Sequence, residues 1–258
     1  MGKCLIQAIG AETLKSVAPL FANWDETLIW TALQGRMGMV WTYGSAALCA
    51  CGDFVFLSPA QEDAKELLQA VHSWLGNRFA ILTVREENVH AAVPAVFAQA
   101  AREETRYAFW KDSSAFDRKL LEELTKKLPS EMMLRVFDSE LYALAMQESW
   151  SRDFCSQFSS CEDFLQNGVA VGALQDGRLI GGAGTYIAYE GGIEVEVDTH
   201  EDFRGQGIAT ACSARLILEC MDRGLYPSWD AANLISVRLA QKLGYRLKGP
   251  YAVWHINE

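Results

Sequence analysis

Residues 193–224 read "IEVEVDTHEDFRGQGIATACSARLILECMDRG", and no other stretch limits the fold so tightly. Ile193, Val195 and Val197 alternate with Glu194, Glu196 and Asp198, the period of two that sends successive side chains to opposite faces of a strand. An apolar helical pattern then runs from about residue 205 to Arg223, and Gly224 suits the position just past its end. At the junction, Gly205, Gly207 and Ala209 fall at alternate positions with Arg204 at their head. Glycine weakens a helix, so glycines at its start have two explanations. One is a tight turn between strand and helix. The other is a backbone kept bare, so that an anion can sit on the N–H groups that a helix start leaves without partners. The segment is neither a GxxxxGK[ST] loop nor a GxGxxG fingerprint, and spacing alone is satisfied by the turn.

The pattern around it is that of a mixed α/β (α+β) domain over residues 130–258. Strands are predicted over 132–138 and on both sides of Asp176-Gly177, a two-residue hairpin turn. Gly181, Gly182 and Gly184 in the second arm of that hairpin indicate a bulge or a close backbone approach. Helices are predicted over 139–150 with Ser139 as N-cap, over 160–168, and over 233–243 with Gly244 closing it. Another strand is expected over 225–231, and the last residues read as strands. Residues 1–129 form an α/β region whose role is not legible. Helices are expected there over 11–24, 61–76 and 93–104, and strands over 54–58 and 79–84. An amphipathic helix over 115–129 gathers Phe116, Leu120, Leu121 and Leu124 on one stripe. Pro129 stops it and sets the expected domain boundary at 129/130. No internal repeat is evident in the sequence.

Context separates the two explanations of the glycine turn. "RGQGIA" (204–209) fits Arg/Gln-x-x-Gly-x-Gly/Ala between an alternating strand and a long helix. Downstream, "NLISVRLAQKLGY" (233–245) places an Asn before a helix that ends in Lys-x-Gly-aromatic. The two motifs, at this separation, resemble the signatures of the GNAT superfamily of N-acetyltransferases. Within it, "IEVEVDTHEDFRGQGIATA" and "GLYPSWDAANLISVRLAQKLGY" look like the subfamily that includes the zwittermicin A resistance acetyltransferase. "CGDFVFLS" and "TRYAFWKD" extend that likeness into the first half. The resemblance implies a GNAT fold, a mixed central sheet flanked by helices, with acetyl-CoA as acyl donor and no metal. Carried across by residue, it implies that the backbone of Val197 and Thr199 holds the pantetheine arm. It implies that Arg204, Gly205, Gln206, Gly207, Ile208 and Ala209, with the Thr210 hydroxyl, cradle the pyrophosphate, and that Asn233 bonds a pantetheine amide. Asn233 equally suits a plain helix N-cap, and Arg204 a surface ion pair.

Acetyl transfer to an amine needs a base for the ammonium proton and a donor for the departing thiolate. Glu194 and Glu196 share one face of their strand, and like charges so close raise at least one pKa toward a base's useful range. A solvated sheet face explains the same pattern equally well. Asp230 is a weaker candidate. Many members of the superfamily carry a tyrosine acid where this chain has Ala240 in "LAQKLGY". Ser236, one helical turn earlier, is the hydroxyl expected to serve the sulfur, although a serine in a first turn often bonds nearby backbone instead. Tyr245 matches an aromatic that is mostly structural in the superfamily.

The formal net charge of -10 over 258 residues disfavours a nucleic-acid partner and mildly favours a cationic one. Seven scattered cysteines read as reduced, mostly buried thiols, and four distant histidines without an HExxH leave no metal site in view. No apolar run of about 18 residues suggests a membrane span, and no basic-then-apolar leader stands at the start. The expectation is a cytoplasmic enzyme that acetylates a primary amine of a small molecule, an antibiotic or aminated metabolite. Acetylation of protein lysine or amino termini, and acyl-CoA binding without catalysis, are the alternatives.

Overall fold

The computed structural model describes residues 3–258 in two compact units. One comprises the chain up to Arg106 together with Pro250–Glu258; the other is Tyr107–Gly249. The first unit contains β1 (Ile6–Gln7), α1 (Ala11–Val17), α2 (Thr27–Leu33), β2 (Met39–Tyr43), β3 (Ala46–Cys51) and β4 (Phe54–Ser58). These are followed by α3 (Ala64–Leu75), β5 (Ala80–Val84), α4 (Glu87–Phe97) and the start of β6 (Ala101–Phe109). β1 to β4 pair antiparallel in sequence order, and β4 pairs parallel with β5. A parallel pair needs a crossover, and α3 supplies it. Leu67, Leu68, Val71 and Leu75 recur on one face of α3 and enter the core with Leu48, Leu57 and Leu82.

The second unit contains α5 (Arg118–Thr125), β7 (Met132–Val136), α6 (Ser139–Gln147), α7 (Cys161–Asn167), β8 (Val171–Gln175), β9 (Arg178–Tyr189) and β10 (Gly192–Thr199). It continues through α8 (Ile208–Asp222), β11 (Tyr226–Ser228), β12 (Asp230–Ala231), α9 (Leu234–Leu243) and the start of β13 (Leu247–Ile256). Its sheet has the order β11-β10-β9-β8-β7, antiparallel except for β10 with β11. The hairpin at Asp176-Gly177 has φ of 51° and 77°, the two positive values that a twisted two-residue loop requires. A Cβ on Gly181 would lie 2.5 Å from Ile208 of α8, and one on Gly182 2.7 Å from Phe154. The glycines of β9 thus let both covering layers approach closely, as their spacing indicates.

Several sequence expectations are corrected. No helix spans 93–104: α4 ends at Phe97, Ala98 takes φ +49°, and residues 101–109 are strand. The helix expected over 115–129 is only Arg118–Thr125, because the Asp117 side chain caps it by accepting from the Lys119 and Leu120 N–H groups. Leu120 is exposed while Phe116, Leu121 and Leu124 are buried. Asp138, not Ser139, caps α6, and α8 begins at Ile208 rather than 205. The strand expected over 225–231 is two strands in different ladders. The units divide at 106/107 and 249/250, not at 129/130, since α5 packs with α8 in the second unit.

Tyr245 lies in the core of the second unit, its ring 4.9 Å from that of Phe116 and 5.3 Å from that of Trp229. Its hydroxyl donates to the Pro227 carbonyl at 2.7 Å. Burial, first of all, pushes its pKa well above 10, and the buried, bonded hydroxyl is structural. Tyr245→Phe is expected to cost about 1–3 kcal/mol in urea unfolding, because a buried carbonyl loses its partner.

Candidate active site

The parallel strands of the second unit fork. Their ladder runs only from Gly192↔Tyr226 to Glu194↔Ser228, while β10 continues to Thr199. Past Trp229 the other arm leaves as β12, which pairs with Tyr107 and Ala108 of β6. Beyond Glu194 no strand pairs with that side of β10 among the described residues. The His200 N–H donates to the Ile180 carbonyl at 3.0 Å, and bonded and non-bonded pairs alternate along an antiparallel ladder. Val195↔Thr185 and Val197↔Ala183 are therefore pairs whose peptide groups point away from β9, into the fork. The β9–β10 register also shifts between Glu194 and Val195, at the crotch of the fork.

The fork leads to the glycine turn. Gly205 and Gly207 have φ of 80° and 83°, and a Cβ on either would meet nothing within 4 Å. Packing does not demand these glycines; the left-handed backbone and the open space in front of it do. Gly207 is the N-cap of α8 and no side chain caps that helix, so the first-turn N–H groups are open to an anion. The Thr199 hydroxyl, buried at the end of β10, has no hydrogen-bond partner. Bare cradle and uncapped helix together fit a diphosphate.

Two of the residues that the resemblance assigns to the cofactor have partners within the protein. The Thr199 N–H already donates to the Asp198 carboxylate at 2.7 Å, and its carbonyl accepts from Arg204 Nε at 3.1 Å. The Thr199 backbone is thus engaged within the protein, and its hydroxyl is buried. The Arg204 guanidinium turns back toward Thr199 and Asp198, 3.7 Å from the Asp198 carboxylate, and is engaged within the protein.

A cation missed in the sequence stands beside the cradle. Lys242 Nζ, in the last turn of α9, donates to Thr210 Oγ1 at 3.4 Å. Its motif drew attention to the glycine and aromatic that follow, and the 32-residue separation hid the contact. Lys242→Met is expected to raise the Kd of acetyl-CoA roughly two- to five-fold, the worth of an exposed charge near a helix end at low salt. The difference should shrink as salt is added.

Asn233 caps α9, its Oδ1 accepting from the Ile235 and Ser236 N–H groups at 2.9 and 3.0 Å; its Nδ2 can still donate to a ligand amide. Ser236 Oγ accepts from the Trp229 indole at 3.1 Å, leaving its own O–H to donate. Ala240 is fully buried among Phe116, Trp229 and Tyr245. It faces the core, so a tyrosine there would overpack it. Ile193, Val195 and Val197 pack on the α8 side, as their alternation indicates. Glu194 is not on a solvated face: it is 6% exposed and sits where the fork opens. Glu196, on the same face, is half-buried, and Asp230 lies on the departing arm, after Trp229. Among the described residues all seven cysteines are free, five of them buried, and no group of three metal-binding side chains occurs. No helix there is long and apolar enough to cross a membrane.

A mixed sheet flanked by helices and forked between its parallel strands defines an N-acetyltransferase of the GNAT type. The chain belongs to the GNAT acetyltransferase family, whose description matches residues 18–254. It is 39% identical to a GCN5-related N-acetyltransferase-like protein from Streptococcus suis 89/1591, over 95% of this chain and 99% of that one, with a TM-score of 0.87. It is 25% identical over 135 residues to the uncharacterised N-acetyltransferase YdfB of Bacillus subtilis (strain 168), a match covering 51% of each chain, so about half the length of that relative. A tandem GNAT protein from the clavulanic acid biosynthesis pathway shares the fold at 13% identity, over 98% of this chain and 96% of that one, with a TM-score of 0.60.

Proposed function

We propose that this enzyme transfers the acetyl group of acetyl-CoA to a primary amine of a small molecule in the cytoplasm. The observation that carries the reading is the fork, with Glu194 buried at its crotch and a bare anion cradle at its far end. Acetyl-CoA supplies the activated thioester. Gly205–Thr210 and Lys242 hold its diphosphate, and the outward peptide groups of Val195 and Val197 bond the pantetheine arm as a neighbouring strand would. Asn233 Nδ2 adds a donor to that arm. Glu194, with Glu196 beside it, takes the proton of the acceptor ammonium directly or through water. Ser236 hydrogen-bonds the sulfur as it gains charge.

A net charge of -10 suits a cationic acceptor, and the sequence likeness to the zwittermicin A resistance subfamily favours a small, aminated one. The test is conversion of acetyl-CoA to free CoA across a panel of aminated antibiotics, polyamines, amino acids and lysine peptides. Turnover that depends on a small amine supports the proposal. Turnover on peptides alone, or none while acetyl-CoA binds, overturns it.

A further inference from the structure

The sequence shows no repeat, yet the topology does. The first unit runs β1, α1, α2, β2, β3, β4, α3, β5, α4 and the start of β6, and the second, after α5, runs β7, α6, α7, β8, β9, β10, α8, β11, β12, α9 and the start of β13. In each, four strands pair antiparallel in order and the fourth pairs parallel with the fifth across one helix. The position in the first unit that corresponds to the glycine cradle is therefore the turn between β4 and α3.

That turn is built in the opposite sense. It is "PAQED" (59–63), five residues without glycine. Asp63 caps α3, its Oδ1 accepting from the Lys65 and Glu66 N–H groups at 3.0 Å each. The Glu62 carboxylate, next to it in sequence, turns to the β2–β3 turn, accepting from Ser45 N and Ser45 Oγ at 2.8 Å each and from Lys3. The chain's own Asp63 carboxylate thus takes the first-turn N–H groups that an anion would need, and no glycine keeps the turn bare. There is no fork either. The β4–β5 ladder runs from Phe54↔Ile81 to Leu57↔Val84, nearly the whole of β4. The β3–β4 register is unbroken from Ala47↔Ser58 to Cys51↔Phe54, without the shift seen at Glu194.

We infer that the first unit is a second copy of the acetyltransferase topology whose cofactor cradle is closed by Asp63 and a turn without glycine, so that the chain binds one acetyl-CoA and not two. The inference rests on the cradle assigned above under the proposed function. Its test is native mass spectrometry with acetyl-CoA, supported by equilibrium dialysis. Glutamate is placed at corresponding turns in Gln61→Glu and Gly207→Glu, each checked by circular dichroism. One acetyl-CoA per chain in wild type and in Gln61→Glu, with none in Gly207→Glu, is the expected result. Two per chain, or a tenfold weakening by Gln61→Glu, would overturn the inference while leaving the second unit's site standing. No binding by the folded wild type, or full binding by folded Gly207→Glu, would instead overturn the cradle itself. Should Gly207→Glu fail to fold, Gly205→Glu serves in its place, its Cβ being equally open.

Discussion

Gly207→Glu is expected to leave a folded protein that no longer responds to acetyl-CoA. A ligand that binds only the native state stabilises it by mass action, about 2.7 kcal/mol at one hundred times its Kd. For chains of this size each kcal/mol moves the melting temperature by roughly 2–4 °C, so the wild-type shift is readily measured. The variant should lose all of it. A Cβ at 207 meets nothing within 4 Å, so the new side chain does not disturb the core. It costs about 1–2 kcal/mol for a left-handed residue and projects a carboxylate into the space before the uncapped helix. Gly207→Ala separates the two effects. It carries the same backbone strain without the charge, and it should keep a reduced but measurable shift. If Gly207→Glu retains the wild-type shift with an unchanged circular dichroism spectrum, the diphosphate sits elsewhere.

Local features of the second unit were legible because local chemistry fixes them. Asp176-Gly177 specifies its turn through two positive φ values, Asn233 caps its helix from within three residues, and the alternation of 193–198 follows from one buried face. The fork was not legible. It depends on where β11 leaves β10, and that is decided at Trp229 by pairing of the next two residues with β6, more than 120 residues earlier in the chain. The 32 residues between them hid Lys242 beside Thr210, and Ala240 lies in the core. The repeat of topology escaped notice for a different reason. β4, "FVFLS", is buried along almost its whole length and shows no alternation, whereas β10 alternates strictly. Two strands in equivalent positions carry unrelated patterns because one is closed in and the other edges an open fork.

The enclosure of Glu194 sets the remaining expectation, a large loss of turnover in Glu194→Gln. The amide keeps the volume and much of the hydrogen bonding of the carboxylate but cannot accept the ammonium proton. A positioned base contributes about 10²–10⁴-fold, and kcat should fall within that range. The KM for acetyl-CoA should hardly move, since the cradle and the fork edge are untouched. In the wild type, kcat/KM should decline as the pH is lowered through the pKa of the free base, and in the variant that limb should vanish. Glu196→Gln is the comparison that assigns the role. Glu196 lies two residues further along the same face, half-buried and past the crotch of the fork. It should lower kcat much less and retain the limb. A structural role for Glu194 would give a different result, a lowered melting temperature with the pH profile intact. Were Glu194→Gln to keep the wild-type profile while Glu196→Gln lost it, the base would be one step nearer the cradle. If both variants kept it, Asp230 would be the next residue to change.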